Sequence, residues 1–440
     1  MWPYYPDLLA TPVPRYTSYP TAAEFNESVG ADDMGAALAR LDAGSSVSLY
    51  LHIPYCHEIC WYCGCNTGAA NRATRLAAYV ERLGQEIDLI GAALAGRGIV
   101  RHIAWGGGSP NALSPDQFTW LAHKVRLAFV CDRTEQSIEL DPRGFNDEWA
   151  DQIARHGITR ASLGVQTFAP HIQRAIGRVQ PYDDIASTCC LLRQAGITSL
   201  NFDLMYGLPS QSDADLVETL EAAIDLGPDR LAVFGYAHVP HLLPRQRRID
   251  AASLPNGAAR FAQAWLAHEQ LITRGYRAVG FDHFAKPGDA LARAAREMRL
   301  HRNFQGFTDD PSHCLIGLGA SAISCFPDLI VQNEKNTGRY HARIGSGALA
   351  ATRGVRPTRL DRQRAEVIEA LLCHGEAECG QLLDLQLLRD DIAPFEAIGL
   401  ARWHRTKLVL TADALPYART IAATFDRFRK NSKVQFSSAI

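Results

Sequence analysis

Residues 56–65 read CHEICWYCGC and place four cysteines, Cys56, Cys60, Cys63 and Cys65, within ten positions. The first three have the spacing C-x3-C-x2-C. Three thiolates on one short loop can hold three irons of a four-iron, four-sulfur cluster. Such clusters are commonly held by four cysteines, so a three-cysteine set leaves one iron open to a ligand that reacts there. A zinc site and a disulfide pair are the other readings of the same residues. Structural zinc favours two separated pairs of ligands, whereas these ligands crowd into one loop.

Bulk properties bound the rest. At 440 residues the chain can hold one large catalytic domain and a smaller one. Hydrophobic residues make up 47% and the formal charge is -2, an ordinary globular balance. No basic run marks a nucleic-acid patch, so no nucleic-acid partner is expected. No apolar run of about 18 residues could span a bilayer. The stretch MWPYYPDLLATPVPRYTSYP (1–20) lacks the charged start and apolar core of a secretory signal, so a cytoplasmic location is expected. Eleven cysteines, an odd number, argue for reduced thiols and a metal site rather than a disulfide framework. The seven outside the loop are dispersed and are expected to pack mostly as small hydrophobes.

Between about residues 45 and 330, short apolar runs alternate with longer amphipathic stretches. The runs are 47–54, 100–107, 137–142, 160–166, 199–207, 230–237 and 276–284; the stretches include 75–91, 116–129 and 214–226. Strands alternating with helices imply parallel pairing through right-handed crossovers. The fold class expected is α/β, an incomplete β/α (TIM-like) barrel. Active sites of such barrels gather at the C-terminal strand ends. There stand His52, Gly106–Gly108, Glu139–Asp141, Gln166, Asp203 and His238. Small and turn residues around 345–361 suggest a boundary, giving an N-terminal arm (1–45), the barrel (46–350) and a small, mainly helical domain (351–440) with a short strand near 408–411. The arm is expected to pack on the barrel.

The C-x3-C-x2-C loop resembles that of radical S-adenosylmethionine (SAM) enzymes, in which the open iron binds the amino and carboxylate groups of SAM and electron transfer yields a 5'-deoxyadenosyl radical. Tyr62 stands where that family carries an aromatic residue able to stack on the adenine. Gly106-Gly107-Gly108-Ser109 follows a strand, and three glycines let backbone approach a ligand closely, suiting the methionine end of SAM. Glu139 and Asp203 end strands; carboxylates facing a barrel interior need hydroxyl, amine or cationic partners. Gln166 and Arg178 add hydrogen bonds and charge on the same face. Cys65 lies beside the cluster loop as a spare thiol, a mixed-disulfide former or a catalytic group.

Over nearly the whole chain the sequence resembles the oxygen-independent coproporphyrinogen III dehydrogenases of bacterial haem synthesis. The matching stretches include PRYTSYPTA (14–22), LYLHIPYC (49–56), WGGGSP (105–110), IELDPR (138–143), GVQTF (164–168), FDLMYGLP (202–209), LHRNFQGFT (300–308), GLGASAIS (317–324) and QFSSAI (435–440). The fourth cysteine separates this family from its haem-chaperone relatives. The resemblance implies one 4Fe-4S cluster held by Cys56, Cys60 and Cys63, and two SAM molecules. The first would meet Tyr50, Gly107, Glu139 and Ile323. The second would meet Tyr62, Gly108, Ser109, Gln166, Arg178, Asp203 and Ala237. Cys65, Tyr50 and Glu139 are the expected catalytic set, and Phe304 and Gln305 lie near the substrate pocket. The implied reaction is oxidative decarboxylation of the ring A and B propionates of coproporphyrinogen III to the vinyls of protoporphyrinogen IX. Four substrate carboxylates call for arginine forks, and Arg15 in the arm is the candidate. A flavodoxin or ferredoxin as electron donor, a further electron acceptor of unknown identity, and a monomeric state are also expected. Rival readings are a haem-binding chaperone, a haem-degrading methyltransferase on the same scaffold, and a zinc-stabilised structural protein.

Overall fold

The structure is a computed structural model that describes residues 1–10, 12–70 and 73–429; the QFSSAI stretch lies outside the described residues. Six expected runs form parallel strands: β1 (Ser46–Ile53), β2 (Ile99–Gly107), β3 (Cys131–Leu140), β4 (Arg160–Gln166), β5 (Ser199–Tyr206) and β6 (Arg230–Gly235). A seventh parallel strand, β7 (Cys314–Leu318), pairs with the free side of β1. The parallel order is β7-β1-β2-β3-β4-β5-β6, flanked on both sides by antiparallel strands in an open, partial barrel-like sheet.

The crossovers are helices with readable ends. Ser114 and Gln117 form a reciprocal cap at the start of α2 (Pro115–Ala128), with Pro115 in the first turn. Asn146 caps α3 (Asp147–His156), and Gly157 ends it in the left-handed conformation, φ +66°. Ser212 caps α5 (Asp213–Asp225). The remaining crossover helices are α1 (Ala73–Leu94), α4 (Tyr182–Gln194) and α6 (Gly257–Thr273).

Alternation along β5 shows how the sheet is used. Leu200, Phe202, Leu204 and Tyr206 are buried, while Ser199, Asn201, Asp203 and Met205 are only half-buried. The apolar set faces outward, under helix residues such as Leu83, Ile87, Phe118, Leu121, Ile153 and Leu220. Each large side chain so buried stabilises by about 1.5–3 kcal/mol. The inner set is polar and faces space.

Ion pairs close the floor of that space. Asp310 meets His102 Nδ1 at 3.0 Å and accepts from Ser48; Asp309 meets Arg160 at 2.6 Å; Asp289 meets Arg230 at 2.8 Å. Against the upward push of burial, His102 and Ser48 hold the Asp310 carboxyl down to about 2.

Two expectations need correction. The run 276–284 is two short antiparallel strands, Arg277–Val279 and His283–Ala285, turned at Gly280. That glycine has φ +58°, and a Cβ there would fall 2.0 Å from the Phe307 ring. The boundary placed at 350/351 cuts the sheet, because Ala351–Val355 pairs with Leu329–Asn333. The terminal region is mainly helical, as expected, and holds more strand than the one expected near 408–411. Its helix Arg359–His374 packs with a three-stranded antiparallel sheet, Glu376–Glu378, Ala401–His404 and Lys407–Leu410. The arm packs on the barrel, as expected, and on this region as well: Val29, Met34 and Leu38 join the core under the sheet, while Trp2, Leu9, Val13, Tyr16 and Tyr19 share a core with Phe261, Leu371, Ile392 and Tyr417. Among the described residues no helix is long and apolar enough to cross a membrane.

One buried carboxylate ties α1 to the sheet. Glu86, 1% exposed, accepts from Gly319 N–H at 2.6 Å, Tyr340 O–H at 2.7 Å and Asn333 Nδ2 at 2.7 Å. Glu86→Ala leaves three buried donors unpaired, and the apoprotein is expected to lose about 3 kcal/mol in a chemical-denaturation titration. Glu86→Gln, which keeps an acceptor, is expected to lose clearly less.

Candidate active site

The cysteine loop leaves β1 at Pro54 and is held from several sides. Trp61 N–H donates to Ile176 O at 3.0 Å, and the Trp61 ring lies against Gly177, where a Cβ would be 2.6 Å from it. Gln246 Nε2 donates to Tyr62 O at 2.9 Å, and Arg245 to Thr67 Oγ1 at 3.0 Å. The glycine turn after β2 locks onto the loop from below, with Gly108 N–H donating to Ile53 O and Ser109 N–H to Tyr55 O, each at 2.8 Å.

Each glycine of that turn is required by close approach. A Cβ would lie 2.7 Å from the Glu139 carboxyl at Gly106, 2.5 Å from His52 at Gly107, whose φ is +113°, and 2.5 Å from Tyr55 O at Gly108. Gly107 N–H donates to Glu139 Oε2 at 2.9 Å. Burial pushes the Glu139 carboxyl up to about 7, with the Gly107 bond opposing. Burial also raises Asp203, against bonds from Asn201 at 2.9 Å and Ser162 at 3.1 Å.

A cavity of about 510 Å³ opens over these strand ends. Cys56, Cys60, Cys63, Cys65, Tyr62, Gly107, Gly108, Glu139, Gln166, Arg178, Asp203, Ala237 and Arg15 all line it. Gln166 takes a left-handed φ of +67° at its wall, a conformation that costs energy in a non-glycine residue and that collects at functional sites. The cavity does not gather every expected residue. Tyr50 lies below, its hydroxyl 3.0 Å from His52 Nδ1. Ser109 is buried behind the wall and accepts from Asp141 N–H at 2.9 Å. Ile323 sits on an antiparallel strand beyond β7. Phe304 and Gln305 occupy the turn of a hairpin, His301–Asn303 with Gly306–Thr308, and Gln305 lines a second cavity of about 360 Å³ beneath the first. Glu139, Ser162, Asp203 and Phe234 border both spaces. His238 bonds Tyr236 at 2.9 Å and does not line the wall.

Charge converges on Cys60. Its sulfur accepts from Arg178 at 3.2 Å and from Arg143 at 3.4 Å. Both arginines also pair with Asp141, at 3.1 and 2.6 Å. Against burial, these arginines hold the Asp141 carboxyl below its usual range. Arg143 was not anticipated, although IELDPR contains it; Gln246, which braces Tyr62 and Ala237 O (3.1 Å), had no signal in the sequence.

The donor set fits an iron–sulfur cluster. All eleven cysteines are free, and three expected ligand thiols border one cavity, with Arg178 and Arg143 donating to the Cys60 sulfur.

A family model described as the radical SAM superfamily matches residues 50–223. Oxygen-independent coproporphyrinogen III oxidase from Bradyrhizobium diazoefficiens is 40% identical over 437 residues, covering 97% of each chain. The chain belongs to this oxidase family. Its relative from Pseudomonas aeruginosa is 37% identical, covering 97% of this chain and 96% of that one. The solved structure of coproporphyrinogen III oxidase from Escherichia coli, a radical SAM enzyme, superposes with a TM-score of 0.91 at 36% identity, covering 97% and 99%.

In an oxidase built this way the glycine turn and cysteine loop are one unit. Gly108→Ala forces Tyr55 backbone away, and the variant is expected to lose about 2 kcal/mol of stability and to fall in iron content after anaerobic reconstitution. Gly44→Ala, whose Cβ meets nothing within 4 Å, serves as the unaffected control.

Proposed function

We propose that this protein catalyses the oxygen-independent oxidative decarboxylation of the ring A and B propionates of coproporphyrinogen III, giving the vinyls of protoporphyrinogen IX in haem synthesis. One observation carries the reading. The chain matches coproporphyrinogen III oxidases over 97% of its length and sets four cysteines, a glycine cradle and two carboxylates around one cavity. Each propionate would lose a hydrogen atom from the carbon β to its carboxylate, then one electron to an acceptor as carbon dioxide leaves.

Cys56, Cys60 and Cys63 would hold the 4Fe-4S cluster. When bound, cluster and SAM supply the primary carbon radical that an unactivated C–H bond requires. The protein's own groups position and enclose. Arg178 and Arg143 set the charge at Cys60, and Glu139 offers a carboxylate to a cationic amine. Cys65 borders the same cavity, and its backbone N–H donates to Cys63 Sγ at 3.4 Å, a placement that supports a role in turnover over the chaperone reading. Two SAM molecules suit the layout of the sheet. Tyr50, Gly107, Glu139 and Ile323 would meet the first, on β1–β3 and the strands beyond β7; Gln166, Arg178, Asp203 and Ala237, on or after β4–β6, would meet the second together with Tyr62, Gly108 and Ser109 from the cysteine loop and glycine turn. The free cysteines suit a reducing cytoplasm. We further propose a monomer reduced by a flavodoxin- or ferredoxin-type donor.

The test is anaerobic assay of reconstituted protein with SAM, a reductant, an electron acceptor and coproporphyrinogen III, following porphyrin and 5'-deoxyadenosine by chromatography. Divinyl product together with 5'-deoxyadenosine is expected. SAM cleavage without divinyl product would overturn the substrate; tight haem binding with neither product would point to a chaperone. Cys60→Ala is expected to abolish both products and the cluster absorbance while the circular dichroism stays native. SAM affinity should also follow the Glu139 carboxyl. A cationic ligand binds its ionised form better, so affinity is expected to strengthen as pH rises through about 7. In Glu139→Gln, calorimetry should find weaker binding with no such pH dependence.

A further inference from the structure

The cysteine loop has a side that does not meet the cavity. Cys60 and Tyr62 border that space, whereas Trp61, which stands between them in the chain, does not line it. The half-buried Trp61 ring packs on a cluster that includes Ile172, Ile176 and Ile249. Two further segments meet it there. The Arg248 guanidinium lies 5.1 Å from the centre of the Trp61 ring, at the end of a segment whose Arg245 and Gln246 already hold Thr67 and the Tyr62 carbonyl. The same ring rests against Gly177, just beyond the short helix Pro170–Ala175. The stretches 170–179 and 239–249 therefore converge on Trp61, one residue from Cys60.

This meeting point is basic and exposed. Neither stretch contains an acidic residue. Arg174, Arg247 and Arg248 are exposed, and among the described residues none of the three forms an ion pair. Leu242 and Val179, on the same two stretches, are 61% and 58% exposed. Acids nearby are engaged: Glu58 pairs with Arg143 at 2.6 Å, and Asp250 accepts from Ala252 N–H at 3.0 Å. Beyond Val179 the chain turns acidic, at Asp183 and Asp184 in the first turn of α4. Exposed apolar side chains among polar neighbours mark protein-docking surfaces. Arginines without anions of their own favour a partner of opposite charge, because complementary potentials steer the encounter.

We propose that this face docks the electron donor, an acidic one-electron carrier protein, with Arg174, Arg247 and Arg248 as contact cations around Trp61. The inference rests on the function proposed above and gives its donor a surface. In the exchange the carrier is oxidised by one electron, and the centre held by the thiols is reduced by one. No bond forms or breaks and no proton moves. The tetrapyrrole belongs to the cavity on the thiol side, so carrier and substrate reach the loop from different directions and do not compete.

The test titrates reconstituted holoenzyme by calorimetry with oxidised flavodoxin of net negative charge, and separately with coproporphyrin III. Wild type is expected to bind flavodoxin at low salt and to lose affinity as salt rises. Arg174→Glu and the double variant Arg247→Glu/Arg248→Glu should each weaken flavodoxin binding roughly tenfold or more. Their coproporphyrin III affinity and dithionite-driven turnover should stay at the wild-type level. Arg296→Glu, on the helix that starts from the floor at Asp289, is the matched control and should bind flavodoxin normally. Unchanged flavodoxin affinity in both reversed variants overturns the inference and leaves the proposed function standing. An equal loss in Arg296→Glu also overturns it, since that reports net charge rather than a face. Loss of coproporphyrin III affinity with flavodoxin binding intact assigns the arginines to the substrate and overturns it too. Parallel loss of dithionite-driven turnover reports a damaged loop and counts against it equally. A wild type that makes no divinyl product with dithionite sinks the proposed function, whereas the flavodoxin titration alone decides the docking face.

Discussion

The inner face of the parallel sheet carries Ser48, His102, Ser137, Glu139, Ser162, Asn201 and Asp203, and no hydrocarbon core can accept such a face. Most other features of the molecule answer that constraint. The apolar alternate positions point outward under the helices, so stability comes from the sheet–helix layer and leaves the centre free for chemistry. The segment 301–312 fills the lower space, and its Asp309 and Asp310 supply the counter-charges that Arg160 and His102 need. At the upper end, where strands finish in carboxylates and glycines, the cysteine loop covers what the floor segment does not.

The upper end has its own logic. Asp141 holds Arg143 and Arg178 in place, and both arginines reach Cys60. The same arrangement keeps Asp141 ionised, so one carboxylate orients two cations on one sulfur. The glycine turn brings backbone to within contact of the loop, which is why a cradle for a ligand and a clamp for the cysteines are made by the same three residues.

The sequence announces what depends on local pattern. The parallel strands β1–β6 were legible from apolar runs ending in polar groups, and the cysteine loop from spacing alone. Long-range matters were less legible. The run 276–284 reads as one strand, and only the demand of Phe307 on Gly280 reveals that it folds back on itself. Ala351–Val355 sits among turn residues, yet it finishes the sheet edge against Leu329–Asn333. The tyrosines of the arm are spaced like a surface strap. Their partners, Tyr417 and Asp426, lie some 400 residues away, where no window can see them: Tyr16 O–H donates to Asp426 at 3.0 Å. Arg143 was visible only as part of a stretch and not as a role, because its role requires Cys60 in three dimensions.

Charge balance within the protein holds both ends of the central space. On the floor, Arg160 and Arg230 meet Asp309, Glu135 and Asp289, and at the mouth Arg143 and Arg178 meet Asp141 and Glu58. Both networks match cation with anion inside the protein, as buried charges must when they serve only to hold the fold.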